Sequence, residues 1–390
     1  MFNQQYIDML QKKDMIFEIF GYASRRRVEV GEENVFDFSL GNPSVPAPEA
    51  FKEAVCRIMK ETDPIALHSY SPAGGIPQVR DAIAQDLNRR YGSDYEGRHI
   101  FMTCGAAAAL AHALRAVTTY GDTALTFAPC FSEYEAYVSG AGCRLDVLPA
   151  DTKSFQINFE ALEEHLTPAV AAVLLNSPNN PSGVVCSTDT IRRLAGLLKS
   201  KAHTFGHPIY LISDEPYRDI VFAGTDSPYI AREYPDTITC YSYSKSLSLP
   251  GERIGYAAVN PKAENADRIL ELFVQISRLT GHNGAPALLQ RAVGMLCGQT
   301  ADLSVYEKNS RILYDALVSF GYECVRPGGT FYMFPKCPDA DSVAFCRKAM
   351  AHDLMLVPGD GFGAPGYFRI AYCVPVSRVE RALPVFRQLL

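Results

Sequence analysis

Lys245 closes the stretch Ser242-Tyr243-Ser244-Lys245 and is followed by Gly251, Arg253 and Gly255. Upstream stand Asn180-Pro181-Ser182-Gly183 and Ile212-Ser213-Asp214-Glu215-Pro216-Tyr217. Together they offer an amine, a carboxylate, a phenol, an amide, two hydroxyls and a guanidinium. A lysine amine attacks an aldehyde once burial or nearby cations bring its pKa down from the ordinary ~10.4. A guanidinium is a permanent cation and a rigid fork for phosphate. A lone lysine is ordinarily a solvated surface charge. Here the Ser-x-Ser-Lys context after an apolar run, with an arginine eight residues on, argues for chemistry.

These side chains need elements to aim them. Asp214 closes the apolar run Pro208–Ser213, and an acid at the carboxyl end of a buried parallel strand lies where α/β folds bind ligands. Tyr217, three residues on, can turn back over the same place, its phenol toward a ring oxygen. Asn180 lies in a turn marked by Asn-Pro and Ser-Gly, after a strand at Val170–Leu175 that aims its amide inward. Lys245 follows a strand over 237–243; Ser242 and Ser244 are two apart, a spacing that shares a face on a strand. Gly105-Ala106-Ala107-Ala108 follows a strand at Ile100–Thr103 and opens a helix, whose free N–H groups suit a phosphate. An amine, an acid for a ring nitrogen, and hydroxyls plus a cation for phosphate are the set that a pyridoxal phosphate (PLP) site requires.

The rest of the chain alternates. Apolar runs recur at Thr123–Phe127, Arg144–Leu148, Ile209–Ser213, Ile238–Tyr241 and Ile254–Val259, with helical patterns at 48–60, 76–91, 105–118, 158–166 and 188–202. That spacing predicts an α/β fold, a mostly parallel sheet sandwiched by helices. Beyond about 285 come helical patterns at Ala285–Leu296, Leu303–Phe320, 341–351 and 376–389, with strands at Thr330–Phe334 and Phe368–Tyr372. These read as a smaller α+β unit. The expected division is a large cofactor-binding domain over 46–285 and a small domain made of 1–45 with 286–390. A further helical pattern runs near Tyr6–Phe20.

Bulk properties exclude several classes. A formal charge of −6 argues against a general nucleic-acid or anionic-membrane surface, and Arg25-Arg26-Arg27 sits among glutamates as a solvated face. The 11 cysteines are scattered singly, with no zinc spacing. Reduced thiols in a cytoplasmic protein fit that better than a disulfide framework. No signal peptide and no run of ~18 apolar residues stands out, so no membrane role is expected. Gly361-Phe362-Gly363-Ala364-Pro365-Gly366 has dinucleotide-loop spacing, but it contains proline and opens no helix, so a loop near Arg369 is expected instead.

In the order and spacing of these motifs the chain resembles the class I/II aminotransferases, the fold-type-I PLP enzymes related to aspartate aminotransferase, over nearly its whole length. The resemblance implies Lys245 as the Schiff-base lysine, Asp214 at the pyridine nitrogen, and Tyr217 and Asn180 at the 3′ oxygen. Ser242, Ser244, Arg253 and the backbone of Ala106 and Ala107 would hold phosphate. Phe131 would stack on the ring, and Tyr70 would reach the phosphate of the neighbouring subunit in a homodimer. Arg369 would grip the substrate α-carboxylate, with Gly41 and Asn180 beside it. The implied reaction is ping-pong amino transfer between an L-amino acid and a 2-oxo acid. Alternatives are C–S lyase (β-elimination) or decarboxylase chemistry on the same scaffold, or a non-catalytic PLP-binding regulator. Ser182 replaces the family's common threonine, and Ala107-Ala108 stand where many relatives are polar. A second arginine for a side-chain acid has no firm place; Arg278, His282 and Asn283 lie in the region concerned.

Overall fold

The structure is a computed structural model that describes residue 2, residues 4–11 and residues 15–390. Its centre is a seven-stranded sheet built from β2 (Ile100–Thr103), β3 (Thr123–Phe127), β4 (Arg144–Leu148), β5 (Val170–Asn176), β6 (Tyr210–Asp214), β7 (Thr237–Ser242) and β8 (Gly255–Val259), in the order β2-β8-β7-β6-β5-β3-β4. Neighbours from β7 to β4 run parallel; β8 runs antiparallel to both β7 and β2.

Every residue of β2, β6, β7 and β8 is buried, which is why these strands read as unbroken apolar runs. Alternate residues serve opposite faces. Leu174, Ile212 and Ile238 pack with Ala109, Ala113 and Phe273, whereas Val173, Leu175 and Leu211 pack with Ile191, Leu194 and Leu198. The helix Ala106–Val117 covers the first face and Thr188–Phe205 the second. The latter is capped at both ends. Ser187 accepts from the Thr190 N–H, and Gly206 takes φ 76° as the left-handed stop.

A second layer consists of short strands: β1 (Phe36–Asp37) parallel to β10 (Leu354–Met355), and β11 (Val357–Pro358), β12 (Phe368–Ala371) and β9 (Tyr332–Met333) in an antiparallel trio. Phe38 joins Leu313, Leu317, Phe345, Phe368 and Phe386 in its core. The helix Ala287–Gly294 packs instead on Glu49–Glu61 and Pro77–Tyr91.

Several expectations need adjustment. The helical pattern near Tyr6–Phe20 becomes two helices, Gln4–Gln11 and Met15–Val30, and residues 12–14 lie outside the described ones. β7 ends at Ser242, so Ser242 and Ser244 do not share a strand face; Ser244 lies in the short helix Tyr243–Ser246. The Ser242 hydroxyl caps that helix by accepting from the Ser244 N–H, which folds the two side chains together. The glycine-rich segment at 359–366 is a short 3-10 turn followed by a loop, as its proline requires.

Candidate active site

Asn176, Asp214 and Ser242 are the last residues of three adjacent parallel strands, β5, β6 and β7. The sheet therefore delivers an amide, a carboxylate and a hydroxyl to one edge. They open into a cleft of about 1340 Å³, counted with the solvent at its mouth. Among its lining are Gly41, Ala106, Ala107, Phe131, Asn180, Asp214, Tyr217, Ser242, Ser244, Lys245, Arg253 and Arg369. Every expected site residue thus comes together there except Tyr70, whose side chain is fully exposed, at 102%.

Lys245 stands on the helix Tyr243–Ser246 directly after β7, and its Nζ donates to the Gly41 carbonyl at 2.7 Å. The amine lies 5.5 Å from the centre of the Phe331 ring. Burial brings its pKa down to about 8; Cys373 opposes that shift, while Arg253 and Arg369 reinforce it. This is the depression that an amine nucleophile requires.

Asp214 is buried with its two oxygens in different circumstances. Oδ2 accepts from the Tyr134 hydroxyl at 2.7 Å, whereas Oδ1 has no hydrogen-bond partner among the described residues. Burial pushes this carboxyl up to about 7, against the Tyr134 hydrogen bond. A buried carboxylate oxygen without a donor is costly unless a cationic or N–H group meets it. A protonated pyridine nitrogen fits that need.

Arg369, on β12, is the converse case. Its Nη2 donates to the Ser39 carbonyl at 2.6 Å and its Nη1 to Asn180 Oδ1 at 3.1 Å. The guanidinium lies 4.9 Å from the Tyr332 ring and 4.8 Å from Phe362. Nε has no partner, and no carboxylate of the described residues pairs with this buried cation. An uncompensated buried guanidinium calls for an anion, and a planar carboxylate matches its fork.

The opposite end of the cleft offers the groups for a phosphate. Ser242 and Ser244 hydroxyls meet at 2.7 Å. The N-terminus of the twelve-residue helix Ala106–Val117 opens beside them. Arg253, exposed and held at φ 49°, donates to the Pro250 carbonyl at 3.1 Å. Gly255 lets this end close up, since a Cβ there would lie 2.3 Å from the Tyr241 carbonyl oxygen and 2.9 Å from Gly105 Cα.

Asn180 is fixed through its neighbour: its N–H donates to Asn176 Oδ1 at 2.6 Å, and Asn176 Nδ2 donates to the Asp214 carbonyl at 2.8 Å. Tyr217 meets the Tyr332 hydroxyl at 3.0 Å. Tyr134, Tyr332 and Asn176 were absent from the expected set. Tyr134 and Tyr332 reach the site by tertiary packing that local sequence does not announce. Asn176, the last polar residue of an apolar run, carried the same strand-end signal as Asp214 and could have been found by it. Arg278, His282 and Asn283 do not line the cleft of this chain.

Comparisons with known proteins place the chain in a family. The family described as aminotransferase class I and II matches residues 33–386. The aspartate aminotransferase of Geobacillus stearothermophilus is 28% identical over 376 residues, 92% of each chain. A probable N-acetyl-LL-diaminopimelate aminotransferase of Bacillus subtilis is 27% identical, over 96% of this chain and 94% of that protein. The crystal structure of an aminotransferase from Eubacterium rectale superposes with a TM-score of 0.97 at 42% identity, covering all of this chain and 98% of the other. These relatives do not favour the lyase, decarboxylase or regulator alternatives. The chain belongs to the class I and II aminotransferase family and is a transferase enzyme of the fold-type-I α/β architecture.

Proposed function

We propose that the cleft binds pyridoxal 5′-phosphate and transfers an amino group between an L-amino acid and a 2-oxo acid in a ping-pong cycle. The observation that carries this reading is the unpartnered, buried Oδ1 of Asp214 in the cleft that also holds the depressed amine of Lys245. When bound, pyridoxal phosphate supplies an aldehyde for an amine to attack and a protonated ring that takes up the electron pair left at the substrate Cα.

The chain's residues do the rest. Lys245 is the covalent anchor. With the substrate seated, the Lys245 amine would be the base that takes the Cα proton and the acid that returns it. Asp214 Oδ1 would accept from a ring N–H and keep it charged. Tyr217 and Asn180 are the donors for the 3′ oxygen; with Oδ1 of Asn180 engaged by Arg369, its Nδ2 is free to donate. Ser242, Ser244, Arg253 and the N–H groups of Ala106 and Ala107 take the phosphate, and Phe131 covers the ring. Arg369 takes the substrate α-carboxylate beside Gly41 and Asn180, fixing which Cα bond faces the ring.

We further infer a homodimer in which the exposed Tyr70 reaches the neighbouring site. The cytoplasm is the expected compartment. Eleven free cysteines support a reducing environment, and among the described residues no helix is long and apolar enough to cross a membrane. The two-domain division, 46–285 against 1–45 with 286–390, is also our reading.

The test is a panel of amino acids, each scored by the change in the bound cofactor's visible absorbance and by 2-oxo acid release with and without an amino acceptor. Acceptor-dependent turnover supports transfer, and acceptor-independent ammonia release overturns it in favour of elimination.

A further inference from the structure

Behind the cleft, on the far side of Asp214 and Lys245, lies a buried polar layer that the proposed chemistry does not use. Along residues 214–219 the side chains divide. Asp214 and Tyr217 line the cleft, whereas Glu215, Arg218 and Asp219 face away from it. Arg218 donates to Glu215 Oε2 at 3.1 Å and to the Tyr256 hydroxyl at 2.7 Å, and lies 4.2 Å from the centre of the Tyr241 ring. Glu215 also accepts from Ser213 at 2.6 Å. Asp219 accepts from Arg90 Nη2 at 2.5 Å and from the Tyr241 hydroxyl at 2.6 Å. The same Tyr241 oxygen meets Ser246 Oγ at 2.7 Å.

Ser246 is the residue after Lys245, on the same four-residue helix. The direction of the chain of hydrogen bonds follows from proton counting. Tyr241 has one hydroxyl hydrogen and gives it to Asp219, so Ser246 is the donor to Tyr241. The sequence is Ser246 to Tyr241 to Asp219, with Arg90 closing the far end.

A helix of four residues has almost no internal hydrogen bonding with which to hold itself. Successive helical residues point about 100° apart, so Lys245 can face the cleft while Ser246 faces the buried layer. Arg218, Glu215 and Asp219 have largely buried side chains and Arg90 lies at the exposed rim; such a set is weak evidence for stability, because desolvation offsets the attraction. What such a set supplies is fixed geometry.

We propose that Ser246, Tyr241 and Asp219, anchored by Arg90 and Arg218, are positioning residues that hold the helix Tyr243–Ser246 and thereby register the Lys245 amine against Asp214. This rests on the reading of Lys245 as the reacting amine. Glu215 and Arg218 brace the segment that carries the acid, and Ser246 braces the helix that carries the base, so one layer fixes both. Facing Lys245 itself are Cys373, Arg253 and Arg369, with Asp214, Tyr217 and Tyr332 on the cleft walls. None of these changes when Ser246 or Tyr241 is replaced.

The test uses Ser246→Ala and Tyr241→Phe, with Ser246→Thr as the conservative variant. Tyr229→Phe is the control, because it breaks the buried Tyr229–Tyr95 hydrogen bond while keeping the ring that lies 5.8 Å from Arg218. Two readouts are taken. One is kcat and KM of the cofactor-loaded enzyme. The other is the pH dependence of Lys245 acetylation in the cofactor-stripped protein, followed by peptide mass spectrometry.

We expect kcat to fall on the order of 10- to 100-fold in both variants, the scale of a small misplacement of a reacting group, with KM little changed. The apparent pKa of Lys245 moves up toward that of an ordinary lysine as its burial relaxes. Ser246→Thr stays near wild type, and Tyr229→Phe lowers only Tm. Unchanged kcat and Lys245 pKa in Ser246→Ala would overturn the inference, as would equal shifts in Tyr229→Phe. An ordinary lysine profile in the wild-type protein would instead overturn the assignment of Lys245 itself.

Discussion

The Tyr134 hydroxyl donates to Asp214 Oδ2 at 2.7 Å, and among the described residues Oδ1 of that buried carboxylate has no donor of its own. Tyr134 opens the helix Tyr134–Ser139, three residues past Phe131, and its side chain is almost wholly buried. The pair therefore sets both the orientation of the carboxylate and the oxygen it presents.

Removing that donor tests its contribution. A hydrogen bond to a charged group contributes about 1.5–3 kcal/mol, so Tyr134→Phe should lower kcat/KM roughly 10- to 100-fold and weaken cofactor retention. Steady-state kinetics and cofactor titration by absorbance check this; a wild-type value for both would show that Tyr134 is only packing.

The pH dependence of stability follows from Asp214. Its folded pKa is raised to about 7, above the ordinary carboxylate value that the unfolded chain keeps. Between roughly pH 4 and pH 7 the unfolded chain has released this proton and the folded chain retains it, so the contribution to stability falls as pH rises through that window. One proton corresponds to a slope of about 1.4 kcal/mol per pH unit. Urea denaturation of the cofactor-stripped protein should show Asp214→Asn gaining stability relative to wild type from pH 4 to pH 7. A constant difference would contradict the shift.

Among the described residues no counter-ion meets the buried Arg369, so its fork should be read chiefly by the substrate. Arg369→Lys keeps the charge but loses the planar pair of donors. We expect kcat/KM for the amino acid to fall about 100-fold or more, with cofactor binding nearly intact. Stopped-flow half-reactions with a good donor provide the measurement, and an unchanged KM would sink the carboxylate assignment.

Gly41 makes room for Tyr332. A Cβ at Gly41 would lie 1.8 Å from the Tyr332 hydroxyl oxygen, so Gly41→Ala must push that ring or its own carbonyl, which holds Lys245. Overpacking of this kind costs about 1–3 kcal/mol. Thermal unfolding should show the loss, and Gly41→Ala combined with Tyr332→Phe should recover part of it. No recovery would mean the strain lies elsewhere.

The strands and the cleft residues at their ends were legible because parallel strands buried on both faces are apolar throughout and end in polar residues. Asp214 and Lys245 follow such runs closely, and Asn180 sits in the turn after one. Ser244 was misplaced because a serine cap and a one-turn helix look like a strand continuing. The long amphipathic helix Ala266–Leu279 was missed although Ile269, Phe273 and Ile276 carry its spacing. β1 and β10 were missed because each has two residues, too few for any periodicity. Tyr134, Tyr332 and the Arg218 layer depend on contacts between distant segments, which no local pattern encodes.

We propose Lys245 as the amine that reacts. Borohydride reduction of the cofactor-loaded enzyme, followed by peptide mass spectrometry, tests it directly. One pyridoxyl-phosphate mass addition is expected, on the peptide carrying Lys245, with neither label nor turnover in Lys245→Ala. A label on another lysine, or undiminished turnover in that variant, would contradict it.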